Sequence, residues 1–235
     1  MKILSLRNWG FAGTLLALLI AVAGVAFAGP PLICHTFEIG SAKSLPWISH
    51  DWNLTGTESY DTSKLAQDTF TILAASPSVL VHMETLRRAT LYARQDPAAA
   101  KDLLNRLTAG TKNPQSEGPP ALYYALYYFD VGYLAATYKQ WLEASHNPAR
   151  GIDGYALVKQ AMQLRGSDPE MEFAAALLTL SGPPSDHRDH VQKAMAGAKT
   201  DPLLAQNLAS HFIGERGETI AEMLSKPAPS GATKP

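Results

Sequence analysis

The chain has 235 residues, with 20 lysines and arginines against 21 acidic residues and a net charge of −1. This balance leaves no basic stripe to neutralise phosphates and no basic amphipathic helix, which argues against nucleic acid and against a membrane surface as partners. The length suits one domain or one short helical array. The single cysteine, Cys34, allows no disulfide framework, so core packing must stabilise the fold.

Residues 1–28 have the pattern of a secretory signal peptide. A positive start precedes an apolar run, which closes with the small-x-small cleavage site Ala26-Phe27-Ala28. The alternative is a transmembrane anchor, but the run is short of the roughly 20 residues that a bilayer requires, and its following flank is not positive. We therefore expect cleavage near Ala28, a periplasmic or secreted location, and no integral membrane segment in the mature protein.

Residues 29–61 are predicted to be an irregular N-terminal segment, because prolines and glycines interrupt every helical pattern. The segment nevertheless carries large apolar side chains, including Trp47 and Trp52, and such side chains usually pack on something. We expect the segment to lie over a helical body, where it forms part of a binding surface or covers it.

Cys34 is followed directly by His35, and several interpretations of this pair stay open. Cys34 could be a nucleophile with His50 as its base, or it could bind copper or zinc together with His35 and His50. Cys-His is also half of the haem-attachment signature Cys-x-x-Cys-His. The other interpretations are a free or buried thiol and an intermolecular disulfide. We predict no cofactor, with haem or copper/zinc at Cys34 and His35 as the alternative.

The chain turns helical at Thr62, and the helical domain is predicted to extend to residue 225. Apolar residues at three- and four-residue spacing predict helices from Thr62 to about Ser76, from Val79 to Ala93, and from Pro97 to about Gly110. No stretch shows the sustained alternation of a strand. The predicted fold class is therefore all-α.

The longest predicted helix, about Ala121 to Ser145, concentrates the aromatic residues. These side chains could line a partner groove, because tyrosine and tryptophan supply broad amphipathic contact area. The alternative is a central core helix, which the small residues Gly132, Ala135 and Ala136 favour because they let another helix approach closely. The candidate binding residues, with two from the irregular segment, are Tyr124, Tyr128, Tyr133, Trp141, Trp47 and Trp52.

An apolar-x-x-Ala phrase recurs ahead of an Asp-Pro dipeptide. The copies are Leu86-x-x-Ala89 before Asp96-Pro97, Val158-x-x-Ala161 before Asp168-Pro169, and Val191-x-x-Ala194 before Asp201-Pro202. Aspartate suits a helix N-cap, and proline suits the first helical position. The last two copies lie 33 residues apart, a period typical of stacked helical hairpins. Two hairpins are predicted: Tyr155–Arg165 with Pro169–Leu180, and Asp186–Ala198 with Pro202–Ile213.

The phrase from Ala161 to Glu170 resembles the junction between two tetratricopeptide repeats, and Leu208-Ala209 matches the large–small pair of the helix that follows such a junction. The resemblance covers about half of the mature chain. It implies a short array of antiparallel helical hairpins, an α-solenoid, that binds a protein or peptide. The resemblance does not identify any individual binding residue in this chain.

The remaining motifs favour binding over catalysis. His187 and His190 share a helix face and could be two metal ligands, but the glutamate of a His-Glu-x-x-His motif is absent, and the pattern indicates a solvated face. Nucleophile-elbow, dinucleotide-binding and phosphate-loop motifs are also absent, which favours a protein that is not an enzyme. Residues 226–235 are predicted to be a disordered Pro-rich tail.

The combined prediction is an exported helical-repeat protein. It acts as a protein- or peptide-binding scaffold, or as a subunit of a larger assembly. The alternative is a redox, metal-binding or haem-binding protein that uses Cys34 with His35 and His50.

Overall fold

The computed structural model describes residues 29–48, 54, 56–111 and 121–212. The predicted signal peptide, His50, Trp52 and the predicted tail lie outside these residues. Within them the chain forms α-helices joined by turns and contains no strand, so the all-α prediction is confirmed. Neighbouring helices pack against each other in pairs, as in a helical array.

The helices follow the predicted order. A 3₁₀ turn, Thr62–Lys64, leads into α1 (Leu65–Ala74), followed by α2 (Val79–Ala93), α3 (Pro97–Thr111), α4 (Ala121–Trp141), α5 (Gly154–Arg165), α6 (Pro169–Leu178), α7 (Pro184–Ala198) and α8 (Pro202–Phe212). The end of α4 differs from the prediction, because it falls at Trp141 rather than near Ser145. The chain then runs in turns, where the side chain of Asn147 accepts the amide hydrogen of Ala149 at 2.8 Å.

The three Asp-Pro dipeptides cap helices in the same way. Asp96, Asp168 and Asp201 each accept two amide hydrogens from the first turn of the next helix at 3.0–3.1 Å. These bonds satisfy donors that a helix N-terminus otherwise leaves unpaired. The alanines that precede the caps, Ala89, Ala161 and Ala194, are fully buried. The interpretation of the motif is confirmed: a packed alanine near the end of one helix is followed by an Asp cap and a Pro start of the next.

The closest helix pairings fall between the predicted hairpins rather than within them. Helix α4 packs most extensively on α5, and α6 on α7. Glycines explain the first pairing, since a Cβ atom on Gly132 would lie 2.6 Å from the carbonyl oxygen of Gly154. At the second, a Cβ atom on Gly197 would lie 2.1 Å from Cβ of Pro169. The predicted close approach of another helix at Gly132 is thus confirmed.

One hydrophobic core joins the helices to the irregular N-terminal segment. Leu32, Phe37 and Leu45 belong to the same buried cluster as the apolar faces of the helices. The expectation that this segment packs on the helical body is confirmed. Helix α2 is central, because every one of its residues except Arg88 is buried. Among the helices that the structure describes, none has both the length and the apolar character needed to cross a membrane.

Candidate functional site

The most unusual feature of the molecule is the way in which residues 29–48, here called the strap, are bound across the helices. The strap contains no helix or strand. Its backbone therefore cannot satisfy its own hydrogen-bonding groups in a regular ladder, and buried groups of this kind need partners. Side chains from α2, α4 and α8 supply them.

A buried ionic network on α2 holds the middle of the strap. Glu84, which has no exposed surface, accepts the amide hydrogen of Phe37 at 3.0 Å and pairs with Arg87 at 2.7 Å and Arg88 at 2.6 Å. Arg87 then donates to the carbonyl oxygen of Ile33 at 3.0 Å, and Arg88 to that of Leu45 at 2.6 Å. The charges on α2 are thus directed at main-chain groups of the strap.

Side chains of α8, of α4 and of the last turn of α2 form the remaining hydrogen bonds to the main chain of the strap. Asn207 of α8, fully buried, accepts the amide hydrogen of Glu38 and donates to its carbonyl oxygen, both at 2.9 Å. Gln140 of α4 accepts the amide hydrogen of Leu32 at 3.0 Å. Tyr92 of α2 donates to the carbonyl oxygen of Pro46 at 2.5 Å. Most of the hydrogen bonds that hold the strap therefore reach its main chain, and the hydroxyls of Ser44 and Thr85, 3.0 Å apart, add one bond between side chains.

One side chain of the strap fills an aromatic pocket. Phe37, 3% exposed, stacks on the ring of His211 with centroids 4.8 Å apart and planes 4° apart. It also makes edge contacts with Phe173 at 6.0 Å and with Tyr133 at 6.5 Å. Such aromatic contacts add to the stabilisation from burial, so Phe37 is the anchor of the strap.

His211 is held neutral in this pocket. Its Nδ1 lies 2.8 Å from the carbonyl oxygen of Asn207, and since a carbonyl can only accept, Nδ1 carries the hydrogen. Its Nε2 is shielded from solvent, and no described residue gives it a hydrogen bond. Burial lowers the pKa of His211 to about 4, against the opposing effect of the Asn207 carbonyl. Burial and the charge of Arg87 also lower the pKa of His35, whose ring lies 5.4 Å from that of His211.

Cys34 lies in the strap, partly buried, with its Sγ close against Gly29. Burial raises the pKa of the Cys34 thiol, and Arg87 opposes the shift only in part. A raised pKa favours the protonated thiol, which is the less reactive form. The part of the chain that the structure describes holds no cluster of three or more metal-ligating side chains, and His50 lies outside it. The structure brings His35 next to His211, a contact that the sequence did not indicate.

The predicted aromatic binding residues are spread over the molecule. Tyr133 has no exposed surface and stacks on Phe129 at 5.5 Å, which fits the core interpretation of α4. Tyr124, Tyr128 and Trp141 are partly exposed, and the guanidinium of Arg94 lies 4.5 Å from the Trp141 ring. Trp47 of the strap lies 5.3 Å from the guanidinium of Arg87. Trp52 is outside the described residues.

Sequence reasoning missed the residues that bind the strap. Glu84, Arg87 and Asn207 are polar residues on helices, and polar residues on a helix usually face solvent. A signal was present in α2, where Glu84 and Arg87 fall among apolar residues on every side of the helix. A charged residue in such a helix requires a buried partner.

A separate cavity of about 250 Å³ opens between α1, α2, α3 and α4. Its walls are mainly apolar, and His82 and Asp130 lie at its base with Nδ1 and Oδ1 2.6 Å apart. Nε2 of His82 donates to the carbonyl oxygen of Ser76 at 2.9 Å. Burial lowers the pKa of His82 but the Asp130 carboxylate raises it, and the net shift is upward. Both ring nitrogens of His82 are thus used to fix structure.

The fold and this site define an all-α protein of paired helices that holds an irregular segment of its own chain by the main chain. Comparison with protein-family models, with curated proteins and with solved structures gave no match. The tetratricopeptide resemblance therefore stays a prediction.

Proposed function

We propose that this protein is an exported scaffold that binds an irregular polypeptide segment of a partner protein on the surface that the strap occupies. The observation that supports the proposal is the set of main-chain hydrogen bonds from Glu84, Arg87, Arg88, Asn207 and Gln140 to the strap. Recognition through main-chain groups, with pockets for particular side chains, is one of the ways in which proteins bind extended peptides.

The groups that hold the strap define the chemistry of the partner segment. A segment that replaces the strap must offer amide hydrogens to Glu84 and Asn207 and carbonyl oxygens to Arg87 and Arg88. It must also place an aromatic side chain between His211, Phe173 and Tyr133. It must also bring apolar side chains to the positions of Leu32, Ile33 and Leu45, which are fully buried, while the polar contacts restrict its sequence little because they reach its main chain. The strap covers this surface until a partner competes with it.

The test is binding of the strap peptide in trans. A labelled peptide of residues 29–48, with Cys34→Ser to prevent disulfides, is titrated with the protein and followed by fluorescence anisotropy. The wild-type protein should bind it weakly, since a tethered strap competes at an effective concentration on the order of millimolar. Phe37→Ala in the protein removes the anchor of its own strap and should lower the Kd for the peptide at least tenfold, since Phe→Ala in a core costs about 3–5 kcal/mol.

Two controls separate displacement from general loosening. Lys43→Ala changes an exposed strap residue and should leave the Kd at the wild-type value. Asn207→Ala added to Phe37→Ala should weaken peptide binding again about tenfold, because two main-chain groups lose their partner. If a Phe37→Ala protein of wild-type helicity binds the peptide no better than the wild type, the proposal is wrong. If Phe37→Ala lowers helicity, Phe37→Leu replaces it in the same comparison.

The alternative of a redox, metal-binding or haem-binding protein has no specific support from the described residues. It depends on His50, which lies outside them, and on a reactive Cys34, whose pKa is raised by burial. It stays a prediction, which absorbance and elemental analysis of the purified protein would test.

A further inference from the structure

Three side chains on three different helices form one hydrogen-bonded chain that ends at the protein surface. The hydroxyl of Tyr155 on α5 lies 2.7 Å from Nε2 of His190 on α7. Nδ1 of His190 lies 2.5 Å from Oε2 of Glu172 on α6. Neither the strap nor the cavity takes part in this group. The sequence indicated a solvated face for His190, and that expectation is wrong, because His190 is only 7% exposed.

The direction of the hydrogen bonds follows from the chemistry of the partners. A carboxylate can only accept, so Nδ1 of His190 carries a hydrogen and donates it to Glu172. In the neutral imidazole the lone pair then lies on Nε2 and accepts the hydroxyl hydrogen of Tyr155. This is the order hydroxyl, imidazole, carboxylate that activates a nucleophile in hydrolases of unrelated folds.

His190 and Glu172 are more buried than Tyr155. Glu172 is 7% exposed, while Tyr155 at the outer end is only partly buried. The base and its carboxylate are therefore shielded, and Tyr155 is the member of the group that solvent reaches. The side-chain nitrogen of Lys159 lies 4.6 Å from the Tyr155 ring centroid, and a cation in that position favours negative charge on the phenol ring.

We propose that Tyr155 is a nucleophile that accepts an acyl group from activated esters, with His190 as its general base and Glu172 as the positioning residue. In the reaction Tyr155 Oη bonds to the ester carbonyl carbon while its proton passes to Nε2 of His190. The tetrahedral intermediate then expels the leaving alcohol or phenol, which takes up that proton. The products are acyl-Tyr155 and one equivalent of alcohol, with no net oxidation or reduction.

The charged groups around the hydroxyl set the pH dependence. Asp186, Asp189 and Lys193 face it from α7, Glu172 from α6, and Lys159 lies on its own helix. Burial and these carboxylates raise the pKa of Tyr155, so a free phenolate does not form at neutral pH. The proton must therefore leave to His190 as the bond forms. The rate should therefore depend on His190 and should not require the pH near 10 at which a free phenol ionises.

The chain contains a matched control tyrosine. Tyr60 is also partly buried, but its hydroxyl bonds directly to the carboxylate of Asp68 at 2.9 Å with no imidazole between them. The protein is mixed with 4-nitrophenyl acetate, nitrophenol release is followed by absorbance, and acetylation of each tyrosine by peptide mass spectrometry. Tyr155 should be acetylated roughly a hundredfold faster than Tyr60, the usual contribution of general-base catalysis.

Variants then assign the roles. His190→Gln should lower acetylation of Tyr155 to the rate of Tyr60 and leave Tyr60 unchanged. Glu172→Gln should slow Tyr155 and move the midpoint of its rate–pH profile to lower pH, a shift that a merely structural role would not produce. Equal rates at Tyr155 and Tyr60 in the wild-type protein would overturn the proposal without any variant. So would an unchanged Tyr155 rate in a folded His190→Gln protein.

Discussion

Glu84 is the centre of the buried ionic network on α2. Its carboxylate has no exposed surface and joins the amide of Phe37 to the guanidinium groups of Arg87 and Arg88. A buried ion pair gives little net stability by itself, but removal of one partner leaves an uncompensated buried charge. Arg87 therefore needs the Glu84 carboxylate as its buried counter-charge, and the strap depends on Arg87 and Arg88 for two of its main-chain hydrogen bonds.

Replacement of Glu84 should be severe. Glu84→Leu leaves Arg87 buried without its carboxylate, and the free energy of unfolding should fall by about 3–5 kcal/mol. Urea unfolding followed by circular dichroism measures the change. The control is Asp102→Ala, which breaks an exposed pair with Arg106 at 3.2 Å and should cost less than about 1 kcal/mol. A similar small loss for both variants would show that the arginines reach solvent instead.

His211 should make the protein sensitive to acid. Its pKa of about 4 in the folded protein lies below the unfolded value of about 6.5, so the unfolded chain takes up the proton first as the pH falls. Stability should therefore decrease from about pH 6.5 to about pH 4, by up to about 3 kcal/mol from this group.

The matched variant is His211→Phe, which can stack on Phe37 but does not titrate. Urea unfolding at pH 7 and at pH 4.5 should show a smaller loss of stability in the variant than in the wild type. An equal loss in both proteins would contradict this role of His211 and would mean that other groups account for the pH dependence.

At the scale of the helices, the crossing of α4 and α5 depends on two glycines. Gly132→Ala should destabilise the protein by about 1–3 kcal/mol, because its Cβ meets the backbone of Gly154, which cannot move as a side chain can. Alanine is otherwise the better helix former, so destabilisation here would be due to the crossing. Gly151→Ala, with no atom within 4 Å, is the control. Equal melting temperatures for the two variants would contradict the close crossing.

The elements differ in how far the sequence predicts them. Helix bounds and Asp-Pro caps depend on residues that are neighbours in the chain, and the sequence predicted the caps and most of the bounds, with the end of α4 as an exception. The strap contacts depend on distant residues, such as Glu38 with Asn207 and Leu32 with Gln140, and no local pattern relates them. The helices of each predicted hairpin pack together, but the more extensive packing of α4 on α5 and of α6 on α7 involves residues far apart in the chain, such as Gly132 with Gly154, and no repeat indicates it.

At the scale of the molecule, the strap is the first described segment of the chain, and it binds to helices as far along the chain as α8, the last one described. It contacts α2 through Glu84, α4 through Gln140 and α8 through Asn207, and its Phe37 lies in the core. The helices have their own contacts with one another, whereas the strap has no secondary structure of its own. Segments of this kind can open below the free energy of global unfolding. Such opening is what a competing partner requires.

The claim that the strap can open without global unfolding is tested most directly by native-state hydrogen exchange of the amides of Phe37 and Glu38. Both amides donate to buried side chains, so they should be protected in the wild-type protein. Their opening free energy should be lower than that of core amides in α2, and Asn207→Ala should lower it further at Glu38 while the α2 amides keep their protection. Exchange of both strap amides only by global unfolding, or with no protection at all, would contradict a strap that is bound and yet able to leave.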